Sequence, residues 1–407
     1  ERIAFANNVN VDIIQSNAAT INVPAPTGSG VSIVVGGAAN QTINGNTGAD
    51  EIAGAGGNDA INGGLGTDTA IYSTAITAAT FGLNGTNIQV TTATDGTDTL
   101  NSVEQLLFTD GTFELVPGTT AAANTLTYTG TNRAVLFGAG GNDTLTGGSN
   151  DDVLTYTASG TNAANNTANG RDFLDGGGNG LLGDRALING DNTTETFRLY
   201  AVSGTGTNAT QRTTLTTTFG ALNANTEVVV LRGSGNLAAN AALNTTNFAV
   251  IAELDNIEEY TINLNGQQTL FGFPIGTQRV QVFGDFAQTS LRTNTITVTG
   301  DGAIEVDVTG IQSEHRVVLD TTNANSSIIG QRAQDLINFV LPQAPVDQGG
   351  GDAGADGAHE ESQTEQESPG TSGAALHLGL GIVKDPVFVG DLPNDIVLRQ
   401  FGNEQEQ

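Results

Sequence analysis

Asp50, Asp59 and Asp68 stand nine residues apart. Each follows a glycine by five positions, at Gly45, Gly54 and Gly63, and precedes Ile52, Ile61 or Ala70 by two. The beat returns at Asp143 and Asp152, with Gly138, Gly147, Leu145 and Leu154 in the matching places. Carboxylates at a fixed spacing among turn-forming glycines offer oxygen atoms, the ligands that hard cations take. Catalytic alternatives are thin. The chain has no cysteine, no HExxH and no GxSxG, which removes thiolate chemistry and the usual zinc-hydrolase and serine-nucleophile signatures. His315 lies in a strand-like run, "EHRVVL", and reads as structural, while His359 and His377 lie in a polar stretch and near the end. None has the helical setting of a proximal haem ligand. Adjacent acids such as Asp151 with Asp152, or Glu258 with Glu259, could hydrolyse glycosides, but in so acidic a chain adjacency is a chance outcome. No catalytic residue is assigned, and no enzyme activity is expected of this chain.

The charge points the same way. Among 407 residues, 43 acids against 13 bases give a formal charge of −30. Nucleic-acid binding needs clustered Lys and Arg, which are missing here. An anionic membrane surface would repel the chain, and no apolar run is long enough to span a bilayer. Cations are the natural partners. Hydrophobic content of 37% with 5% aromatics suits thin cores and many turns. The 55 glycines follow no collagen period. Methionine is absent, so the chain is expected to be processed or part of something longer.

On the template G-G-x-G-x-D-x-U-x, with U a large apolar residue, "GNTGADEIA", "GAGGNDAIN" and "GGLGTDTAI" match in succession. "GAGGNDTLT" and "GGSNDDVLT" match later. This resembles the RTX, or haemolysin-type, repeats of calcium-binding proteins exported by type I secretion, which form a parallel β-roll. The resemblance implies Ca2+ as the cofactor. Six residues of each unit turn and three form a strand, so two units make one coil. Turn 45–50 is then expected to stack on 63–68, and turn 54–59 on 36–41, with the apolar residues lining a narrow core. Ions are expected between stacked turns. The carboxylates of Asp50, Asp59, Asp68, Asp143 and Asp152 would hold them, with turn oxygens of Gly45, Thr47, Gly54, Gly56, Asn58, Gly63, Leu65, Thr67, Gly138, Gly140, Asn142, Gly147 and Ser149. Gln41 replaces Asp in "GGAANQTIN" and should weaken or remove its site. Ala70 is a small core residue where the first roll is expected to end. Asn150 replaces the fourth glycine and could adopt the left-handed conformation at modest cost.

The fold class expected is all-β: calcium-binding parallel β-roll or β-solenoid arrays with hairpin caps and a further β-rich domain. Residues 1–35 read as N-terminal strands. Residues 36–118 read as a β-roll with a capping segment, in which Val103, Leu106, Leu107 and Phe108 form a lid. Asp95 and Asp98 could bind another ion, but hairpin turns explain them better. A second array with an Asn/Ala/Thr-rich insertion spans 119–192. Spaced β-branched runs fill 193–342, as a solenoid or a sandwich, with Ile304, Val306 and Val308 alternating cleanly. Residues 343–375 have the composition of a disordered linker. The tail, 376–407, is either an export signal or a docking strand. Residues 184–340 also resemble, in general character, the C-terminal β regions of large bacterial proteins that join RTX repeats to animal-type haem peroxidase domains.

The expected function is a secreted, extracellular or cell-surface calcium-binding segment, structural or adhesive, that folds on binding calcium outside the cell. Its expected partners are calcium ions and copies of itself or surface and matrix components. The alternatives are a non-catalytic export and stability module of a large secreted enzyme, and a carbohydrate-active β-helix.

Overall fold

The computed structural model describes residues 2–4, 10–24, 30–118, 122–158, 169–191, 193–234, 237–238, 240–264, 269–270, 273–274, 276–291, 295–339, 383–387 and 398–401. Residues Glu1–Val340 form one compact unit and Leu341–Gln407 another. In the second unit, strands Val383–Val387 and Leu398–Phe401 pair antiparallel. The expected linker, and the rest of the tail, lie outside the described residues.

The nine-residue beat becomes coil geometry in the first unit. Strands Thr42–Asn44 and Ala60–Asn62 pair in parallel, with Ile43 opposite Ile61. The intervening strands, Asp50–Ala53 and Thr69–Ile71, pair in parallel in a second sheet, with Ile52 opposite Ala70. Side chains alternate across a strand, so only the middle residue of a three-residue strand faces inward. Ile43, Ile52, Ile61 and Ala70 are accordingly buried. Turn 45–49 meets turn 63–68 through Leu65 N–H donating to Asn46 O at 3.0 Å. The outward rows are polar, and Asn44 donates to Asn22 Oδ1 at 2.9 Å along one of them.

The coils extend beyond the repeats in both directions. Strands Thr20–Asn22 and Gly30–Val35 already belong to the two sheets, each in parallel register with the first repeats. At the other end Gly96–Asn101 pairs in parallel with Ala60–Asn62, and hairpin strands Asn87–Thr92 and Thr80–Asn84 end that short sheet. On the long side Gln105–Phe108 pairs in parallel with Thr69–Ile71. It then turns back as Gly111–Pro117, which pairs in parallel with Ala134–Phe137. The expected lid residues Leu106 and Phe108 do close the first core, with Phe108 stacked on Tyr72 at 5.1 Å between ring centroids. They do so from within the long sheet, which continues past them. The backbone edge of Gln105–Phe108 is satisfied by a returning strand, so the roll is spliced there and not ended.

That return strand reverses strand direction, and the next core forms on the opposite face of the sheet. In Ala134–Phe137, Val135 and Phe137 pack into the first core while Ala134 and Leu136 pack into the second. Val153 and Leu154 divide in the same way, as do Leu187 and Ala186. From here the long sheet runs in parallel through Val153–Thr157, Arg185–Asn189, Glu259–Asn263, Thr295–Gly300, Arg316–Thr321 and Leu336–Phe339. The facing short sheet begins at Thr125–Thr127 and ends at Ser327–Ile329. The short sheet includes an antiparallel run, Ala249–Asp255 with Val228–Ser234 with Glu195–Ala201, and Ile304, Val306 and Val308 line the core.

One helix, Thr207–Phe219, packs outside this core against strand Glu195–Ala201 through Leu215. Threonine is a poor helix former. Here five threonine hydroxyls, from Thr210 to Thr218, donate to carbonyls four residues earlier, and the packing of Leu215 decides the conformation.

Glycine is required where coils touch. A Cβ on Gly63 would overlap Ser102 O and come 2.5 Å from Asp68 Oδ2. Gly63→Ala is expected to destabilise the calcium-loaded protein by about 1–3 kcal/mol, the usual cost of overpacking, read as a lowered guanidinium midpoint. An unchanged midpoint would contradict this packing.

Candidate metal centre

Each repeat aspartate reaches back one coil. Asp59 Oδ1 accepts the backbone N–H of Gln41 at 2.7 Å. Asp68 Oδ1 accepts that of Asp50 at 2.8 Å. Asp143 Oδ1 accepts that of Asn124 at 2.7 Å, and Asp152 Oδ1 that of Ala134 at 2.6 Å. The second oxygens differ. Those of Asp50 and Asp152 accept turn amides, from Asn46 at 2.7 Å and Gly148 at 2.5 Å. The second oxygens of Asp59, Asp68 and Asp143 are buried and have no hydrogen-bond partner. Each lies over the first glycine of its own unit, Gly54, Gly63 or Gly138, in the space a Cβ would take. Gly45 and Gly147 have the same relation to Asp50 and Asp152.

The remaining turn positions bring backbone, not side chains. Thr47, Asn58, Leu65, Thr67, Asn142 and Ser149 are exposed, Gly56 is half-buried and Gly140 is buried. Asn58 Oδ1 is engaged with Thr97 N–H at 2.9 Å, and Asn142 Oδ1 with Arg171 N–H at 2.9 Å. The fourth-position glycines Gly57, Gly66 and Gly141 take positive φ (110°, 133° and 107°), as do Ala55 (65°) and Ala139 (68°) at the second position, whereas Asn150 does not take the left-handed conformation.

The ladder does not stop at the repeats. Asp59 N–H donates to Asp98 Oδ1 at 2.9 Å, and Asp68 N–H to Glu104 Oε2 at 2.9 Å. Asp143 N–H donates to Asp172 Oδ1 at 2.9 Å, and Asp152 N–H to Asp184 Oδ1 at 2.7 Å. Asp184 N–H donates in turn to Glu258 Oε2 at 2.8 Å. Sequence reading does not place these acids in the ladder, because insertions hide their phase, although it offers Asp98 as a further ion ligand. The surviving signal is an acid two residues before a core residue, as in Asp98 with Leu100 or Asp172 with Leu174. Asp98 thus belongs to the ladder. Asp95 closes its hairpin turn, accepting from Ser73 Oγ at 2.8 Å and Thr92 Oγ1 at 2.9 Å.

Burial makes these carboxylates expensive to ionise. It pushes Asp59 and Asp68 up to about 6, Asp98 to about 7, and Asp172 and Asp184 to about 8. Asp50, Asp143 and Asp152 are raised for the same reason. Among the described residues no three acids or histidines converge as a metal cluster. A cation here would therefore take much of its shell from turn carbonyls. Bare carboxylate oxygens beside stacked carbonyls fit calcium, which takes six to eight oxygens in flexible geometry.

At both ends of the solenoid, side chains do the work of a cation. Gln41 Oε1 accepts Gly37 N–H at 2.7 Å, as Asp50 does from Asn46. Its amide nitrogen donates to Ser16 O at 3.1 Å and Ala18 O at 2.7 Å, holding the turn below. At the other end Asp335 Oδ1 accepts Val317 N–H at 2.8 Å. Arg332 donates to Ser313 O at 2.8 Å and Ile311 O at 3.3 Å. His315 is buried beside them, with Nε2 3.6 Å from Asp335 Oδ2, in a structural position.

Comparison with known proteins decides what the repeats are. The model of the RTX calcium-binding nonapeptide repeat matches in four copies, over residues 35–70 and 128–158. The chain carries RTX repeats, and RTX repeats bind calcium. No curated protein matches it. Among solved structures, the extracellular lipase LipA from Serratia marcescens aligns at 18% identity with a TM-score of 0.18. That alignment covers 57% of this chain and 38% of the lipase, so the chain spans well under half of that neighbour. No helix among the described residues is long and apolar enough to cross a membrane.

Two outcomes follow for the RTX arrays. Because folding raises the aspartate values above 3.8, the metal-free fold holds these protons more tightly than the unfolded chain does. Their contribution is full below the unfolded value and is lost as pH rises through about 6 to about 8. The β signal that the metal-free protein retains in acid should therefore fall between about pH 4 and about pH 8, and excess calcium should flatten the trend. A metal-free profile that rises over this range would contradict the assignment. Second, hydrogen exchange in chelator should open the repeat strands first and leave strands Arg316–Thr321 and Leu336–Phe339 protected. Arg332→Ala should lower their protection with or without calcium. Equal exposure of both regions on chelation would refute the guanidinium hold.

Proposed function

We propose that this chain is a calcium-folded structural segment of a secreted protein, with the ions held between stacked turns by Asp50, Asp59, Asp68, Asp143 and Asp152 and turn carbonyls. The observation that carries this reading is the set of buried carboxylate oxygens, on Asp59, Asp68 and Asp143, that no donor satisfies. Without a cation, each is either an uncompensated buried charge or a protonated acid. Metal binding and folding of the arrays are then one event. A dissociation constant on the order of 10⁻⁴–10⁻³ M, the range of extracellular calcium modules, leaves the arrays open at low calcium and closes them where calcium is plentiful. This supports an extracellular location.

An adhesive, self-assembling role is the finer part of the reading. The outermost strands of the described solenoid, Ser327–Ile329 and Leu336–Phe339, expose Ile329, Leu336 and Phe339. A free strand edge with apolar side chains can accept another strand. The domain scheme proposed is two RTX rolls, 36–118 and 119–192, preceded by N-terminal strands and followed by a metal-poor solenoid.

Circular dichroism with calcium and then EGTA tests the folding claim: β signal should be lost on chelation and return with calcium. A spectrum indifferent to EGTA would sink it. Light scattering tests assembly, and a monomer at every calcium concentration would remove that part alone.

A further inference from the structure

Asp184 lies outside both stretches matched by the repeat model. Its turn, 176–184 ("GGGNGLLGD"), is three residues longer than the six-residue repeat turn. Its carboxyl nevertheless has the setting of Asp59, Asp68 and Asp143. Oδ1 accepts the N–H of Asp152, the acid one coil earlier, at 2.7 Å. Oδ2 is buried without a partner, and the residue is 0% exposed. A Cβ on Gly176 would come 2.5 Å from Oδ2 and overlap Asn256 O, the relation Gly63 bears to Asp68 and Ser102 O.

The added length is pinned on both sides. Asp151, in the turn below, accepts Gly183 N–H at 2.6 Å and Leu182 N–H at 3.1 Å. Gly178 N–H donates to Gly148 O at 2.9 Å. In the turn above, Glu258 Oε1 accepts from Asn179 Nδ2 at 2.6 Å. The excess chain bulges outward, leaving Leu181 89% and Leu182 57% exposed, and Asp184 returns to the ladder position. The charged groups that act on Asp184 are Asp152, Glu258 and Asp151, all acidic. The adjacent Arg185 is taken up by Glu259. This turn therefore lacks the resident donor that Gln41 or Arg332 supplies at the ends.

We propose that turn 176–184 forms a further calcium site with turn 147–152, in which Asp184 supplies the bare carboxylate oxygen and carbonyls of the stacked turns complete the shell. The site rests on the calcium reading of the repeats, since it borrows their geometry. It takes calcium binding one coil beyond the recognised array, to where the metal-poor solenoid begins.

The test is calcium stoichiometry of the full chain by titration calorimetry, for wild type, Asp184→Asn and Asp68→Asn. Asp184→Asn should bind one ion fewer than wild type. If Asp68→Asn loses an ion and Asp184→Asn keeps the wild-type number, the further site is overturned and the repeat reading stands. If wild type binds no calcium, both fall. Should Asp184→Asn not fold, wild-type crystals soaked in a lanthanide decide the matter. An anomalous peak beside Asp184 supports the site, and peaks at the repeat aspartates without one there overturn it.

Discussion

A buried carboxylate that accepts the backbone N–H of the preceding coil sets the terms for the rest of the molecule. One oxygen ties coil to coil, and on Asp59, Asp68, Asp143 and Asp184 the other is left bare. The first half of that arrangement is a spacer that fixes coil separation and register. The second half is a debt of solvation that backbone and side chains nearby do not cancel. Three-residue strands with a single inward residue bury little apolar surface, so hydrophobic burial alone offers a weak counterweight. The coils are held in register by groups that also oppose closure until a cation arrives.

The chain handles this conflict differently along its length. In the repeats the conflict is kept, and in the proposed reading stability is tied to an external ion. At the ends it is removed by covalent means, an amide at Gln41 and a guanidinium at Arg332. Between about 195 and 339 the solenoid relies instead on longer strands and a larger core, in which Phe197, Tyr260, Phe286 and the Ile304, Val306 and Val308 row are buried. On that reading, dependence on calcium and core size vary inversely along one continuous sheet.

Much of this was legible in the residues. The pairing of Ile52 with Ala70 and of Ile43 with Ile61 follows from a nine-residue beat and two sheets, and the spacing alone picks out Asp59, Asp68 and Asp143, whose second oxygens are bare, along with Asp50 and Asp152, whose second oxygens accept turn amides. Three things were not legible. Asp98, Asp172 and Asp184 keep the acid-to-core spacing but lose the period, because insertions change the number of residues per coil without changing the stacking distance. The helix Thr207–Phe219 has the composition of a turn-rich loop, and its conformation is set by contacts made far away in sequence. The splice at Gly111–Pro117 reads as an ordinary hairpin, since nothing local states that its outer strand will seed a second roll.

That splice has a mechanical consequence. Strands Ala134–Phe137, Val153–Thr157 and Arg185–Asn189 are a wall shared by two cores, with packed side chains on each face. A sheet covered on one side can curl toward its core. A sheet covered on both sides must compress one core and part the other to do so, and close-packed interiors resist both. The middle of this molecule should therefore act as a stiff strut, and flexure, where the chain needs it, is left to segments beyond the shared wall.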